Sequence, residues 1–233
     1  MTTHETRKTA LIFGASRGLG LAMAAEYVSR GWCVTATVRG DRRTELNDLA
    51  GSSDGRLTVE KVDITVPEQI AALHARVAGT AFDLLFVNAA ITNGDVQIGD
   101  VTTETFNRVM VTNALSPMRV VEAFQDVVPP AGTIGVMSSR QGSLTLNDRA
   151  GYEVYRAGKS ALNQLMRSFA ARHADDQRTM LLLCPGWVQT DLGGPAAPLT
   201  IGESVPGVVD TIEKHAGEGG LHFVDYQDQT VPW

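Results

Sequence analysis

Cysteine is nearly absent. Two in 233 residues, Cys33 and Cys184, are too few for a disulfide framework or a zinc site, and both sit in apolar runs where buried free thiols are expected. No apolar run approaches the roughly 18 residues of a membrane span. The opening MTTHETRKTA is polar and has no apolar leader segment, so a cytoplasmic protein without a membrane partner is expected. Positive charge is in deficit: 20 Lys and Arg against 26 Asp and Glu leave a net charge of −6, which argues against nucleic acid as the partner. The five histidines, His4, His74, His173, His215 and His222, are scattered with no two at ligand spacing, and no metal is expected. With only nine prolines, no repeat and no low-complexity tract, nothing marks a second unit. What remains is an ordinary globular composition, 43% hydrophobic and 20% charged, over a length that suits one domain spanning 1–233.

The chain alternates between two periods. Short aliphatic or β-branched runs at Thr9–Phe13, Cys33–Val38, Leu57–Val62, Phe82–Val87, Thr133–Met137, Met180–Cys184 and Leu221–Val224 predict strands. Helical stretches lie between them at Leu19–Ser29, Pro67–Ala78, Thr103–Val127, Tyr152–Ala174 and Ile201–His215. Repeated strand-then-helix order requires crossover connections, hence a single doubly wound, Rossmann-type α/β domain with a mainly parallel sheet of about seven strands. Thr200-Ile201-Gly202-Glu203 has capping-box form and opens the last helix, in which Pro206 predicts a kink.

The first chemical motif is Gly14-Ala15-Ser16-Arg17-Gly18-Leu19-Gly20, directly after one predicted strand and before an Ala-rich helix. A strand–helix loop of this kind offers free N–H groups and the positive end of a helix dipole, and its glycines let a pyrophosphate approach the backbone. A bare tight turn is the competing reading. Tyr155-Arg156-Ala157-Gly158-Lys159 places a phenol and an ammonium four apart on one helix face. Ser138-Ser139 closes a strand upstream, Asn88-Ala89-Ala90 closes another, Asn113 lies in the long helix, and Pro185-Gly186-Trp187-Val188-Gln189-Thr190 follows the sixth strand.

In this order the set resembles the short-chain dehydrogenase/reductase family from about residue 8 to the end. Within it, SSRQGS, YRAGKSALN and PGWVQTDLGGPAAPLT resemble most the C-factor-like carbonyl reductases. The resemblance implies an NADP-dependent oxidoreductase that moves a hydride between nicotinamide and a small carbonyl or alcohol substrate. Tyr155 would be the general acid or base, Lys159 its charge partner and a ribose ligand, and Asn113 a support for the lysine through a water. Ser139 would polarise the carbonyl, preferred over Ser138 because Gly142 completes a serine-x-x-glycine pattern. The cofactor would lie on Gly14, Ser16, Arg17, Gly18, Leu19 and Gly20, on Asp63 and Ile64, on Asn88, Ala89 and Ala90, and on Pro185, Gly186, Val188 and Thr190. Asn113 as a buried helix asparagine and Asp63 as a plain cap remain alternatives.

At the end of the second strand, where an NAD site carries a carboxylate, this chain has Arg39, with Arg17 a second cation for a 2′-phosphate. Asp41, two residues later, is the competing reading. Departures from the family pattern are Phe13, Ala90 and Gly158, and none removes a reacting group. The long spacing from Ser139 to Tyr155 predicts that loop 141–151 bulges over the substrate, and Asp191–Leu199 is expected to act as a lid. The resemblance further implies a homodimer or homotetramer built on the two long helices, through Phe106, Val109, Met110, Val120 and Phe124 on one and Leu162, Leu165, Met166 and Phe169 on the other. A dinucleotide-binding signalling protein with little catalytic activity is the alternative function.

Overall fold

The computed structural model describes residues 7–233; His4 lies outside them. Strands β1 (Thr9–Phe13), β2 (Cys33–Val38), β3 (Leu57–Lys61), β4 (Leu84–Val87), β5 (Thr133–Met137), β6 (Thr179–Cys184) and β7 (Leu221–Asp225) form one sheet in the order β3-β2-β1-β4-β5-β6-β7. Every neighbouring pair is parallel. The helices are α1 (Gly18–Ser29), α2 (Glu45–Gly51), α3 (Pro67–Val77), α4 (Thr103–Met110), α5 (Ser116–Phe124), α6 (Glu153–Arg172) and α7 (Ile201–His215).

Strand periodicity divides the core in two. Leu11 and Phe13 of β1 face the layer of α3, α5 and α6, where Leu73, Phe124 and Phe169 are fully buried. Ala10 and Ile12 face the other layer, built on Met23 and Tyr27 of α1 and Val208 and Val209 of α7. The strand order reverses between β1 and β4, which opens a crevice at their carboxyl ends, the place where doubly wound sheets take ligands.

Three local expectations change. Helix α2 is additional, opened by a Thr44–Asn47 capping box in a stretch too short to show a periodic signal. The long helix over Thr103–Val127 is interrupted by a π-turn at Val111–Leu115, where the Ser116 N–H reaches back five residues to the Val111 carbonyl. Pro117 explains part of this, since it has no N–H to give the Asn113 carbonyl. Helix α7 runs unbroken through Pro206 behind the Thr200–Glu203 box; Pro206 sits in its second turn and has no N–H to give the Gly202 carbonyl.

Most apolar residues of α4 to α6 cover the sheet: Val109, Val120, Phe124, Leu162, Met166 and Phe169 are buried, whereas Leu115 and Leu165 are each 40% exposed. Among the described residues no helix is long and apolar enough to cross a membrane.

Candidate active site

The glycine loop joins β1 to α1 at the crevice. Gly14 has φ +80° and Gly18 φ +59°, a left-handed backbone that favours glycine. Packing is equally demanding: a Cβ on Gly14 would lie 2.8 Å from the Ala89 nitrogen, and one on Gly20 would lie 2.2 Å from the Gly14 carbonyl. Asn88 reinforces the junction by donating from Nδ2 to the Gly14 carbonyl at 3.0 Å. Arg17 is the N-cap of α1, yet no side chain caps the helix and no carboxylate sits in its first turn, so its positive end is open to an anion. Ser16 lies half-buried in this loop, and Leu19 packs against the core.

The surrounding charges are arranged by sign. Arg39 is exposed at the end of β2, and none of the ion pairs among the described residues involves it. Asp41 is drawn away by Lys61 at 2.5 Å. Arg17 pairs with Asp191 at 2.5 Å across the crevice, joining the glycine loop to the segment after Thr190. One Asp63 oxygen accepts from the Thr65 N–H and hydroxyl at 2.9 and 2.7 Å, a local turn and not the cap of α3, whose N-cap is Val66. Ile64 is buried beside it.

Helix α6 brings Tyr155 and Lys159 to the carboxyl end of β5 and β6. Both are buried, with the Lys159 Nζ 5.8 Å from the Tyr155 ring centre. Burial pushes the phenol up to about 12, and the Ser139 hydroxyl facing it pulls in the opposite direction. Burial also brings Lys159 down to about 8. Its ammonium donates to the Met137 carbonyl at 2.7 Å, so in this structure the phenol is tuned by desolvation and Ser139 rather than by the lysine. The thiol of Cys184 nearby is pushed well up by burial and stays neutral.

Ser139 and Ser138 separate cleanly. Ser139 Oγ accepts from the Gln141 N–H at 3.1 Å and faces Tyr155, whereas Ser138 is buried and donates to Asn163 Oδ1 at 2.6 Å. Asn163 in turn donates to the Gly142 carbonyl at 3.1 Å. A Cβ on Gly142 would sit 2.9 Å from Asn163 Nδ2 and 3.0 Å from the Lys159 backbone, the steric reason for glycine three positions after Ser139. Asn163 was missed by sequence reasoning, although it falls four residues after Lys159 on the same helix face.

Asn113 holds the opposite wall. Its Oδ1 accepts from the Ile91 N–H at 2.8 Å and its Nδ2 donates to the Ile91 carbonyl at 2.7 Å, so the side chain binds backbone only. Gly158 on α6 lets this wall approach: a Cβ there would lie 3.3 Å from Asn113 Cβ. Asp95, also unforeseen, accepts from the Tyr152 N–H at 3.1 Å and fixes the left-handed residue, φ 54°, that starts α6.

Beyond β6, Gly186 has φ +84° and the Pro185 carbonyl accepts from Ser204 at 2.6 Å. Thr190 Oγ1 accepts from the Gly193 N–H at 3.0 Å, and Val188 bridges Leu199. A Cβ on Gly193 would lie 2.0 Å from the Val188 carbonyl, whereas Gly194, φ +74°, is open. Loop 141–151 and the flank of α6 line a cavity of about 430 Å³, to which Arg156 and Ser160 contribute.

Comparison with known proteins agrees with this geometry. The short chain dehydrogenase family pattern matches residues 8–198. A Burkholderia multivorans protein described as a short-chain dehydrogenase/reductase, crystallised with bound NADP, is 56% identical over 98% of this chain and 100% of its own, with a TM-score of 0.96. A carbonyl reductase from Pseudomonas aeruginosa PAO1 in complex with NADP is 34% identical over 98% and 100%, with a TM-score of 0.90. C-signal of Myxococcus xanthus is 37% identical over 153 residues, 65% of this chain and 92% of that protein. The pattern match, the parallel sheet and the ordered side chains at its carboxyl edge agree, and the chain belongs to the short-chain dehydrogenase/reductase family of oxidoreductases.

Proposed function

We propose that the protein is an NADP(H)-dependent carbonyl reductase that also runs as the corresponding alcohol dehydrogenase, with Tyr155 as the proton donor or acceptor. The observation that carries this reading is the buried phenol held protonated, up to about 12, with Ser139 facing it and the Lys159 ammonium on the same helix face.

The chain carries the chemistry for the cofactor. The open N-terminus of α1, the left-handed Gly14 and Gly18, and the close Gly20 contact make a cradle for a pyrophosphate. Exposed Arg39 suits a 2′-phosphate, and Asp41 is neutralised by Lys61. Asp63 and Ile64 would meet the adenine, Asn88, Ala89 and Ala90 the adenosine side, and Pro185, Gly186, Val188 and Thr190 the nicotinamide. The two NADP-bound relatives support the choice of cofactor. When bound, NADPH supplies the hydride.

The chain's own groups handle the oxygen. Ser139 donates a hydrogen bond to the substrate carbonyl and aims it at Tyr155. As negative charge grows on that oxygen, the phenol gives up its proton, and Ser139 stabilises the phenolate left behind, joined by the Lys159 ammonium once it turns from the Met137 carbonyl. Lys159, at about 8, is largely charged at neutral pH and is available to a ribose hydroxyl. Asn113 and Asn163 hold the two walls between which Tyr155 and Ser139 meet. A protein that only binds dinucleotide has no use for a buried phenol faced by a serine hydroxyl.

The test is a panel of aldehydes, ketones and secondary alcohols followed by NADPH absorbance. Turnover is expected with at least one carbonyl class, lowered by about 10²–10⁴-fold in Tyr155→Phe, the usual worth of a general acid. Equal kcat/KM in the two proteins would overturn the assignment.

A further inference from the structure

At the sheet edge opposite the catalytic cleft, three potential ligands meet that the proposed reaction leaves unused. His215 ends α7, Glu218 lies in the following turn and His222 is the second residue of β7. The spacing of seven between the histidines carries no ligand signature in the sequence; the turn brings them together, with ring centres 4.6 Å apart.

We propose that His215, Glu218 and His222 form a binding site for a divalent transition-metal ion of the zinc type. One ligand atom from each lies within 4.8 Å of the others. Glu218 Oε2 is 2.5 Å from His215 Nδ1 and 3.9 Å from His222 Nε2. Ligands about 2 Å from a tetrahedral zinc stand roughly 3.3 Å apart, so small side-chain adjustments place all three around one ion, with a water completing the set. Two imidazoles and a carboxylate are a donor set for zinc, cobalt or nickel and not for calcium or magnesium.

Two further contacts point the same way. Asp228 Oδ1 lies 2.7 Å from His215 Nε2, and a carboxylate on the far nitrogen turns the other nitrogen of the ring toward an ion. The turn itself is pinned to β6: the buried Thr179 hydroxyl donates to the His215 carbonyl at 2.8 Å and accepts from the Gly219 N–H at 3.0 Å. Binding replaces the His215–Glu218 contact and frees His222 Nε2 from the Gly219 carbonyl, 2.8 Å away. The ion ties the end of α7 to the start of β7, so its effect is on stability and not on turnover.

The experiment uses the full chain with any affinity tag removed and bound metal stripped by a chelator. Zn(II) alone is titrated by calorimetry and Co(II) alone by visible absorption. One ion per chain, a four-coordinate Co(II) spectrum, a higher Tm and unchanged NADPH turnover are expected. Glu218→Gln and His222→Ala should each weaken binding at least tenfold, and Asp228→Asn about 10–100-fold. Glu218 is about half exposed, so its variant will fold even if the histidine variant does not. Absence of binding, or equal binding in Glu218→Gln, would overturn the proposal and leave the cluster as a histidine ring held between two carboxylates.

Discussion

Lys159 is a charge placed where folding disfavours it, and Lys159→Met measures how much. The side chain is almost fully buried, and its pKa falls from an ordinary 10.5 to about 8. At 1.36 kcal/mol per pKa unit, that gap means the charged lysine costs the fold about 3 kcal/mol at pH 7. The sign follows from proton counting. Between about 8 and 10.5 the unfolded chain binds the proton that the native chain has shed, so stability contributed by this group rises with pH across that window. Methionine has similar volume and no charge, but leaves the Met137 carbonyl without its 2.7 Å donor, a loss of about 1–3 kcal/mol. The two effects nearly cancel at pH 7, and the pH dependence separates them. From pH 7 to pH 9.5 the stability of the wild type should gain about 2 kcal/mol on that of the variant. Cys184, whose raised pKa lowers stability at alkaline pH, keeps a neutral native thiol at both pH values with or without the Lys159 charge, and so contributes equally to the two proteins. Denaturant unfolding at the two pH values and one protein concentration is the assay, with NADPH turnover lost in the variant. A stability difference that does not move with pH would refute the reasoning.

Four further outcomes are expected. Arg39→Ala should lower kcat/KM with NADPH about 10–100-fold and leave NADH nearly unchanged, the worth of one charged hydrogen-bonded contact, roughly 1.5–3 kcal/mol; equal losses with both cofactors would remove Arg39 from the phosphate site. Gly20→Ala puts a methyl 2.2 Å from the Gly14 carbonyl, so Tm should fall, cofactor fluorescence titration should show at least tenfold weaker binding, and wild-type affinity would contradict the close contact. Hydrogen exchange over residues 191–199 should slow when NADP(H) binds, because the exposed Arg17–Asp191 pair is worth under about 1 kcal/mol and yields readily to a better partner; identical protection in both states would make the segment a fixed connection. Light scattering should give a mass above that of one chain at micromolar concentration, reduced by Leu115→Glu with Leu165→Glu, since these leucines face outward from the helices that otherwise cover the sheet; a wild-type mass equal to one chain would exclude the homo-oligomer.

The local pattern was informative wherever one segment's chemistry stands alone. Short aliphatic and β-branched runs located all seven strands, because the central ones are buried on both faces and even the half-exposed edge strand β3 keeps its β-branched residues. The i, i+4 spacing of Tyr155 and Lys159 placed both on one face, and the serine-x-x-glycine pattern selected Ser139 for a reason the packing of Gly142 now explains. Other features needed partners distant along the chain. Within the π-turn, the Asn113 side chain meets the Ile91 backbone across 22 residues. Ser138 is withdrawn from the substrate by Asn163, 25 residues on. Lys159 turns to a strand carbonyl that no helix periodicity reveals, and both pKa values depend on burial, which only the assembled layers create. His215, Glu218 and His222 carry no signal until a turn superposes the end of a helix on the start of a strand. Periodicity and motif spacing are properties of neighbours in the chain, so the sequence by itself determined the strands, the glycine loop and the side chains proposed to react; solvent exclusion and long-range pairing arise only on folding, and tertiary structure alone decided how those side chains are held and charged.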